Sequence, residues 1–426
     1  MLTNDIAAVR TAAIDSLHRT LSGPRPFAAA QPRSQGGLAP ELPGLQRRMA
    51  EWKAEYPEHH VTVGRAPQAG SIMLANNDYL SLADDGRIIG ALRAALDDVK
   101  TETFMSGVFV QFLDAQGAYE REMARFLGSE GVALCQSGWA ANDGLIQAIA
   151  DADTPVYVDL YGHASLWQGI HSAGAKPRPF RHNNMTHLRS VIAKNGPGVI
   201  LVDSVYSTSG DLCPLDQLCD LAEETGCMLV VDESHGVGVF GPQGSGLVTA
   251  MGLEHRVHFR TFSLSKAMVG RGGIVAGTKK TLEYFRYTSR PAIFSSTVLP
   301  HEIAGFRATL DVIQADEHRR SRLFANTAYL RAGLAEVGID VGSSPAPIIS
   351  LIGGAEAKTA QLRDRLEDHG IFGAVFCAPA TPKGRSLVRL TVNSGLTQDD
   401  LDRVIRAAAD CRDLLVSDLR IDRDAA

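Results

Sequence analysis

The feature that most constrains this chain is an alternation. Between residues 69 and 310, short β-branched or apolar runs recur at 132–136, 155–159, 198–203, 227–232, 257–263 and 273–277. Stretches with helical spacing lie between most of them. Tyr119, Met123, Phe126 and Leu127 share one face at i, i+4, i+7 and i+8, and Leu215, Leu218, Leu221 and Ala222 share another. Strands that are apolar on both faces need cover on both faces, and intervening helices supply it. The expected fold is therefore α/β, with a large domain over 69–310 built on an open, mostly parallel sheet. Ligands of such sheets bind beyond the carboxyl ends of strands. Chemistry is to be sought in whatever follows each run.

The flanks read differently. Residues 1–68 form an expected N-terminal arm, loop-like over 24–43 and amphipathic over 42–56. From 311 onward, a charged helix over 311–337 is followed by a strand at 347–352, a helix at 357–369, strands at 372–376 and 386–392, and a helix from Gln398. This predicts a smaller C-terminal α+β domain, 311–426. With 42 basic against 48 acidic residues the net charge is −6, which gives no electrostatic case for nucleic acid or an anionic membrane. No apolar run approaches the roughly 18 residues of a spanning helix, and the N-terminal residues lack the apolar core of a secretory signal. Six cysteines without a Cys-x-x-Cys pair, and no His cluster of metal-ligand spacing, predict reduced thiols, a cytoplasmic protein and no metal.

Four run ends carry candidate chemistry. In 229–235 an apolar strand delivers Asp232, then His235. Alone this is a strand cap and a satisfied histidine, but a buried carboxylate is costly unless paired, and a protonated pyridine nitrogen is one suitable partner. In 261–267 a strand ends in Ser263, Ser265 and Lys266. Alone this is a surface lysine, but an amine held among small residues is desolvated, which suits Schiff-base chemistry, and the hydroxyls suit a phosphate. The 34 residues from Asp232 to Lys266 leave room for one helix and one strand, so both can face one crevice. In 135–142 Ser137-Gly138-Trp139 opens a helix. It is an ordinary βα turn when seen alone and an anion cradle in company. His163 follows the run 155–159, where an imidazole is either structural or stacks on a flat ring. A fifth match, Gly236-Val-Gly238-Val-Phe-Gly241, has dinucleotide-site spacing, but Pro242, Gly244 and Gly246 deny it the helix such a site must open.

Together these sites resemble the fold type I enzymes that use pyridoxal 5′-phosphate, and within them the α-oxoamine synthases. Asn77-Asp78-Tyr79-Leu80, residues 232–246 and Phe294-Ser295-Ser296-Thr297 are similar to that family's markers. A closer similarity is to the α-hydroxyketone quorum-sensing autoinducer synthases. It rests on Ser137-Gly138-Trp139, Ser165-Leu166-Trp167, His182-Asn183-Asn184, and residues 203–208, 291–297, 373–377 and 388–394.

The resemblance implies roles. Lys266 would hold the cofactor and move protons at the substrate Cα. Asp232 would pair with the pyridine nitrogen, His235 and Ser207 would bond the ring's phenolic oxygen, and His163 would stack on the ring. Gly138, Trp139 and Ser263 would hold the phosphate. Ser296 and Thr297 would reach the phosphate of a second subunit, so a homodimer is implied. Arg389 would grip the substrate carboxylate, with Asn77 also at the substrate. The implied reaction joins an acyl-CoA to an amino acid or S-adenosylmethionine with loss of carbon dioxide, giving an α-aminoketone autoinducer precursor. One departure stands out: residues 104–112, including Phe109 and Phe112, are apolar and lack the Arg that many α-oxoamine synthases carry there. This suits a medium-chain acyl tail, and the alternative is that these residues are core. Other readings are a different α-oxoamine synthase (for a sphingoid base, 8-amino-7-oxononanoate or a secondary-metabolite aminoketone) or a regulator that binds the cofactor without catalysis. The absence of a basic cluster or helix-turn-helix in 1–68 argues against the regulator.

Overall fold

The computed structural model describes residues 41–97, 104–109 and 114–416. Residues 1–59 and 60–426 separate into two units. In the first, the described chain holds a helix, Pro43–Glu55, with Pro43 in its first turn and no buried residue. The rest of the expected arm, up to residue 40, lies outside the described residues.

From His60 onward, the described residues hold eleven strands in two sheets. They are β1 (Ile72–Leu74), β2 (Gly131–Cys135), β3 (Val156–Asp159), β4 (Pro177–Phe180), β5 (Val199–Asp203), β6 (Met228–Asp232), β7 (Phe259–Ser263), β8 (Gly273–Gly277), β9 (Ile348–Gly354), β10 (Ile371–Phe376) and β11 (Ser386–Thr391). The large sheet has the order β2-β8-β7-β6-β5-β3-β4. Strands β4, β3, β5, β6 and β7 pair in parallel, and β8 runs antiparallel to both of its neighbours. Strands β3 and β5 are buried along their whole length, as double-sided cover requires. Because only β8 is reversed, Cys135, Asp159, Asp203, Asp232 and Ser263 all end at one edge of the sheet, and Gly273 begins there.

Each of the six runs read from the sequence is a strand of this sheet. Strand β4, Pro-Arg-Pro-Phe, has no β-branched run to announce it. Its two prolines lack an N–H, which an edge position tolerates, and β4 is at the edge.

The small sheet has the order β1-β10-β11-β9. Here the chain differs from the simple division at 311. Strand β1, at the start of the expected large domain, pairs in parallel with β10, Ile72 opposite Ile371. The segment before the large sheet thus returns to the C-terminal strands. The helix expected over 311–337 is instead two helices, Pro300–Ala315 and Glu317–Glu336. Asp316 breaks them apart at φ −99° and ψ 58°. Its carboxylate accepts from Arg87 Nη2 at 2.6 Å and from Arg319 Nε at 3.1 Å, contacts that stabilise the turn.

Candidate active site

Strand β6 ends in Asp232, which is 4% exposed. Its Oδ1 accepts from Ser234 N at 2.8 Å and its Oδ2 from Asn142 Nδ2 at 2.6 Å. Among the described residues it forms no ion pair. Glu233, its neighbour, points the other way and is closed off by a buried guanidinium: Arg260 Nε donates to Glu233 Oε2 at 2.6 Å. The same guanidinium binds the carbonyls of Leu127 and Ser245. Gly246 passes this pair at φ +105°, and a Cβ there would meet Glu233 Oε2 at 2.6 Å. The glycine-rich segment thus wraps a buried ion pair. It opens no dinucleotide-binding helix: only the four residues Leu247–Ala250 follow as helix.

Lys266 lies in the connection between β7 and β8. Burial pushes its amine below the ordinary lysine range, and the Arg389 charge adds to this against the pull of Asp232 and Asp203. Among the described residues the amine has no hydrogen-bond or ion-pair partner. The connection is tightly turned. Gly270 lies where a Cβ would strike the ring of Phe306, and Val269 adopts a φ of +43°, a left-handed backbone that a β-branched residue rarely takes.

The helix Gly138–Ile149 begins beside this turn, capped by the Ser137 side chain, which accepts from Ala140 N. A Cβ on Gly138 would meet Ser263 Cβ at 2.6 Å, so only glycine fits against the end of β7. First-turn N–H groups of a helix lack helical acceptors. Together with the hydroxyls of Ser263 and Ser265, 2.7 Å apart, they make a cradle for an anion. Trp139 is about half exposed. Its ring is edge-on to His163, with centroids 6.2 Å apart.

His163 caps the helix Ala164–Ser172, and burial lowers the pKa of its imidazole, partly offset by the charge of Asp232. His235 is buried, and burial with the nearby charges of Lys266, Arg389 and His163 holds its pKa well below the ordinary value. Tyr79 OH lies 2.6 Å from His235 Nδ1. Burial raises the phenol's pKa, and a phenol donating to Nδ1 leaves the histidine proton on Nε2. Asp203, opposite Asp232 in the β5–β6 register, is pushed well above the usual carboxylate range by burial and by the Asp232 charge.

On the other side stands Arg389 of β11, 4% exposed. Nη1 donates to Ser207 O at 2.9 Å and Nη2 to Asn77 Oδ1 at 3.0 Å, while Nε is buried without a partner. The Phe376 ring lies 4.6 Å from its guanidinium carbon. No carboxylate among the described residues pairs with it.

The structure therefore brings Lys266 into the electrostatic field of Asp232, His163, His235 and Arg389. It sets Ser207 and Asn77 on the Arg389 guanidinium, and Gly138 with Ser263 at the cradle. Ser296 and Thr297 part company. Ser296 is exposed, and its carbonyl accepts from Gln136 Nε2 at 3.0 Å. Thr297 is 9% exposed, with its hydroxyl 3.5 Å from Gln116 Oε1. Phe109 is 73% exposed and Phe104 64%, which excludes the core reading for both within the chain. Phe112 lies outside the described residues. Sequence reasoning gave no role to Asn142 or Asp203. Asn142 was visible only as a polar residue opening an apolar helix.

A family model, aminotransferase class I and II, matches residues 69–407. The chain is 45% identical over 350 residues to the CAI-1 autoinducer synthase of Vibrio campbellii, covering 82% of this chain and 89% of that protein. It is 32% identical over 370 residues to the 8-amino-7-oxononanoate synthase of Symbiobacterium thermophilum, covering 86% and 93%. The solved serine palmitoyltransferase of S. paucimobilis superposes with a TM-score of 0.78 at 25% identity, over 87% of this chain and 98% of that one. The residues present fit pyridoxal 5′-phosphate: an uncompensated buried carboxylate, an unpartnered amine, and a glycine cradle that a Cβ would fill. The chain belongs to the aminotransferase class I and II family, and within it to the α-oxoamine synthases, enzymes whose cofactor is pyridoxal 5′-phosphate.

Proposed function

We propose that this enzyme transfers a medium-chain fatty acyl group from an acyl-CoA thioester to the Cα of an amino acid or S-adenosylmethionine, with loss of the substrate carboxylate as carbon dioxide. The product is an α-aminoketone autoinducer precursor. Arg389 carries the reading of the amino substrate. A buried guanidinium with a free Nε and no carboxylate partner among the described residues is costly unless an anion arrives to complete it. An α-carboxylate bound there has its Cα within the field of Lys266. The autoinducer branch rests on the 45% identity to the CAI-1 autoinducer synthase.

The residues divide the work. When bound, the cofactor ring supplies an electron sink for charge left at Cα. Lys266, its amine made less basic by burial, takes the Cα proton and returns one later. Asp232 would meet the pyridine nitrogen, where an ionised carboxylate favours its protonated form. His235 and Ser207 would hold the ring's phenolic oxygen, and His163 would cover a ring face. Gly138, Trp139 and Ser263 would hold the phosphate. Asn77 keeps Arg389 aimed. Phe104 and Phe109, exposed on the chain, offer apolar surface to the acyl tail, and Phe112 is assigned with them. A homodimer is the proposed unit. The exposed Ser296 is the residue of the 296–297 pair suited to reach a second copy's phosphate, since Thr297 is turned toward Gln116.

The test is a matrix of acyl-CoA donors of increasing length against S-adenosylmethionine, 2-aminobutyrate, serine and alanine, read by release of free CoA and by mass spectrometry of the aminoketone. Turnover confined to medium-chain donors with S-adenosylmethionine or 2-aminobutyrate is the expected result. Preference for serine or alanine would move the enzyme to another α-oxoamine branch.

A further inference from the structure

Asn142 is 2% exposed and lies on the helix that begins at Gly138. Its side-chain amide touches three other elements. Nδ2 donates to Asp232 Oδ2 of β6 at 2.6 Å and to Ser165 Oγ, on the helix after β3, at 2.9 Å. Oδ1 accepts from Thr261 Oγ1 of β7 at 2.5 Å. Ser165 Oγ in turn lies 2.7 Å from His163 Nδ1, and the Ser165 backbone N–H also points at that nitrogen, at 3.3 Å.

These contacts permit one direction of donation. An ionised Asp232 only accepts, so the amide must turn its NH₂ toward it. Oδ1 then faces Thr261, whose hydroxyl donates. The second Nδ2 hydrogen goes to Ser165 Oγ, which leaves the Ser165 proton free to donate to His163 Nδ1. A nitrogen that accepts this hydroxyl proton carries a lone pair, so the imidazole proton sits on Nε2; the backbone N–H, at 3.3 Å, is the weaker second donor to Nδ1. We propose that Asn142 is a positioning residue that sets, through one hydrogen-bonded chain from Thr261 to His163, both the aim of the Asp232 carboxylate and the Nε2–H tautomer of His163. The consequence is that the group addressing the cofactor's ring nitrogen and the group covering its face are fixed by the same amide. Burial lowers the pKa of the imidazole, which favours the neutral form this chain uses. The proposal rests on the roles given above to Asp232 and His163.

The experiment uses full-length enzyme labelled with ¹⁵N-histidine, with and without cofactor, and His163 assigned by loss of its signal in His163→Asn. Wild type is expected to show a proton on Nε2 and none on Nδ1. Ser165→Ala should give a mixture of tautomers, and Ser165→Thr should restore the single form. Asn142→Leu should weaken cofactor binding about 10- to 100-fold, as expected for a lost buried hydrogen bond to a charge. Thr261→Val, a milder change that keeps the fold testable, should weaken it about tenfold or less and blur the His163 tautomer. An unchanged His163 signal in Ser165→Ala, or wild-type cofactor affinity in both Asn142→Leu and Thr261→Val, overturns the proposal. Asp232→Asn separates the two levels. If it leaves affinity and visible spectrum unchanged, the reading of Asp232 fails and takes that half of the proposal with it. If it weakens binding while Asn142→Leu does not, the reading stands and the proposal falls.

Discussion

Among the buried acids that end strands of the large sheet, Asp159 and Asp232 are treated in opposite ways. Asp159, at the end of β3, is fully enclosed: it accepts from Tyr161 N, Asn183 N, Tyr206 OH and His182 Nδ1. His182 is stacked on Tyr161 with centroids 4.4 Å apart, and its Nε2 lies 3.4 Å from Asp211 Oδ2. Burial alone would lower the pKa of His182, but the bonds to Asp159 and Asp211 outweigh it and hold it at about 9. Asp232, two strands away, receives one amide and one backbone N–H and no cation. The Asp159 carboxylate is satisfied by groups of the chain itself, and its contacts stabilise the loops beside the site. The Asp232 cluster, with the amine of Lys266 and the guanidinium of Arg389 beside it, is complete only with a ligand. Unpaired buried charge, more than burial or acidity, separates the site from the scaffold.

That contrast can be broken in four places. Lys266→Ala should abolish covalent attachment of the cofactor and lower turnover by at least about 10³-fold, read by absorbance and CoA release, with little change in thermal stability. At the closed cluster, the effect is on stability and depends on pH. The folded pKa of His182 lies above its reference of 6.5, so its contribution is full below that value and is lost as pH rises through about 9. Denaturant melts between pH 6.5 and 10 should show a loss of roughly 3 kcal/mol that His182→Gln lacks. A flat profile would mean the cluster holds no charge. Next, Arg389→Ala should raise the KM for the amino substrate about 10- to 50-fold while cofactor affinity moves far less. An equal loss of both would make Arg389 part of the scaffold. Smallest, Phe109→Asp should shift acyl-chain preference about fivefold, near 1 kcal/mol, with an unchanged melting temperature because the side chain is exposed.

What the sequence disclosed and what it hid follow from the range of each interaction. Runs such as 199–203 and 228–232 are local patterns, and each is a strand. The break at Asp316 depends on Arg87, 229 residues away, and no window along the chain contains both. The same holds for β1, whose partner β10 lies in the C-terminal sheet. At the site, Asp232, Lys266, Gly138 and His163 are legible because each follows a strand and breaks an apolar run. Tyr79 was visible as a marker, but its bond to His235 spans 156 positions. Asn142 reads as one polar residue in a helix, and its three partners come from three other elements. Thr297 looked like the twin of Ser296, and only the fold shows that one is exposed and the other buried.

The reversal of β8 has a consequence for how Lys266 is held. Because β7 and β8 are adjacent and antiparallel, Ser263 and Gly273 sit side by side in the ladder. The lysine rides on a short hairpin pinned at both feet, whereas the other strands of the parallel run are joined by crossovers that include helices. Such a hairpin has no slack to drift along the sheet. On the proposed role of Lys266 in proton transfer, the travel of its amine is assigned to rotation about its own side-chain bonds rather than to movement of the hairpin.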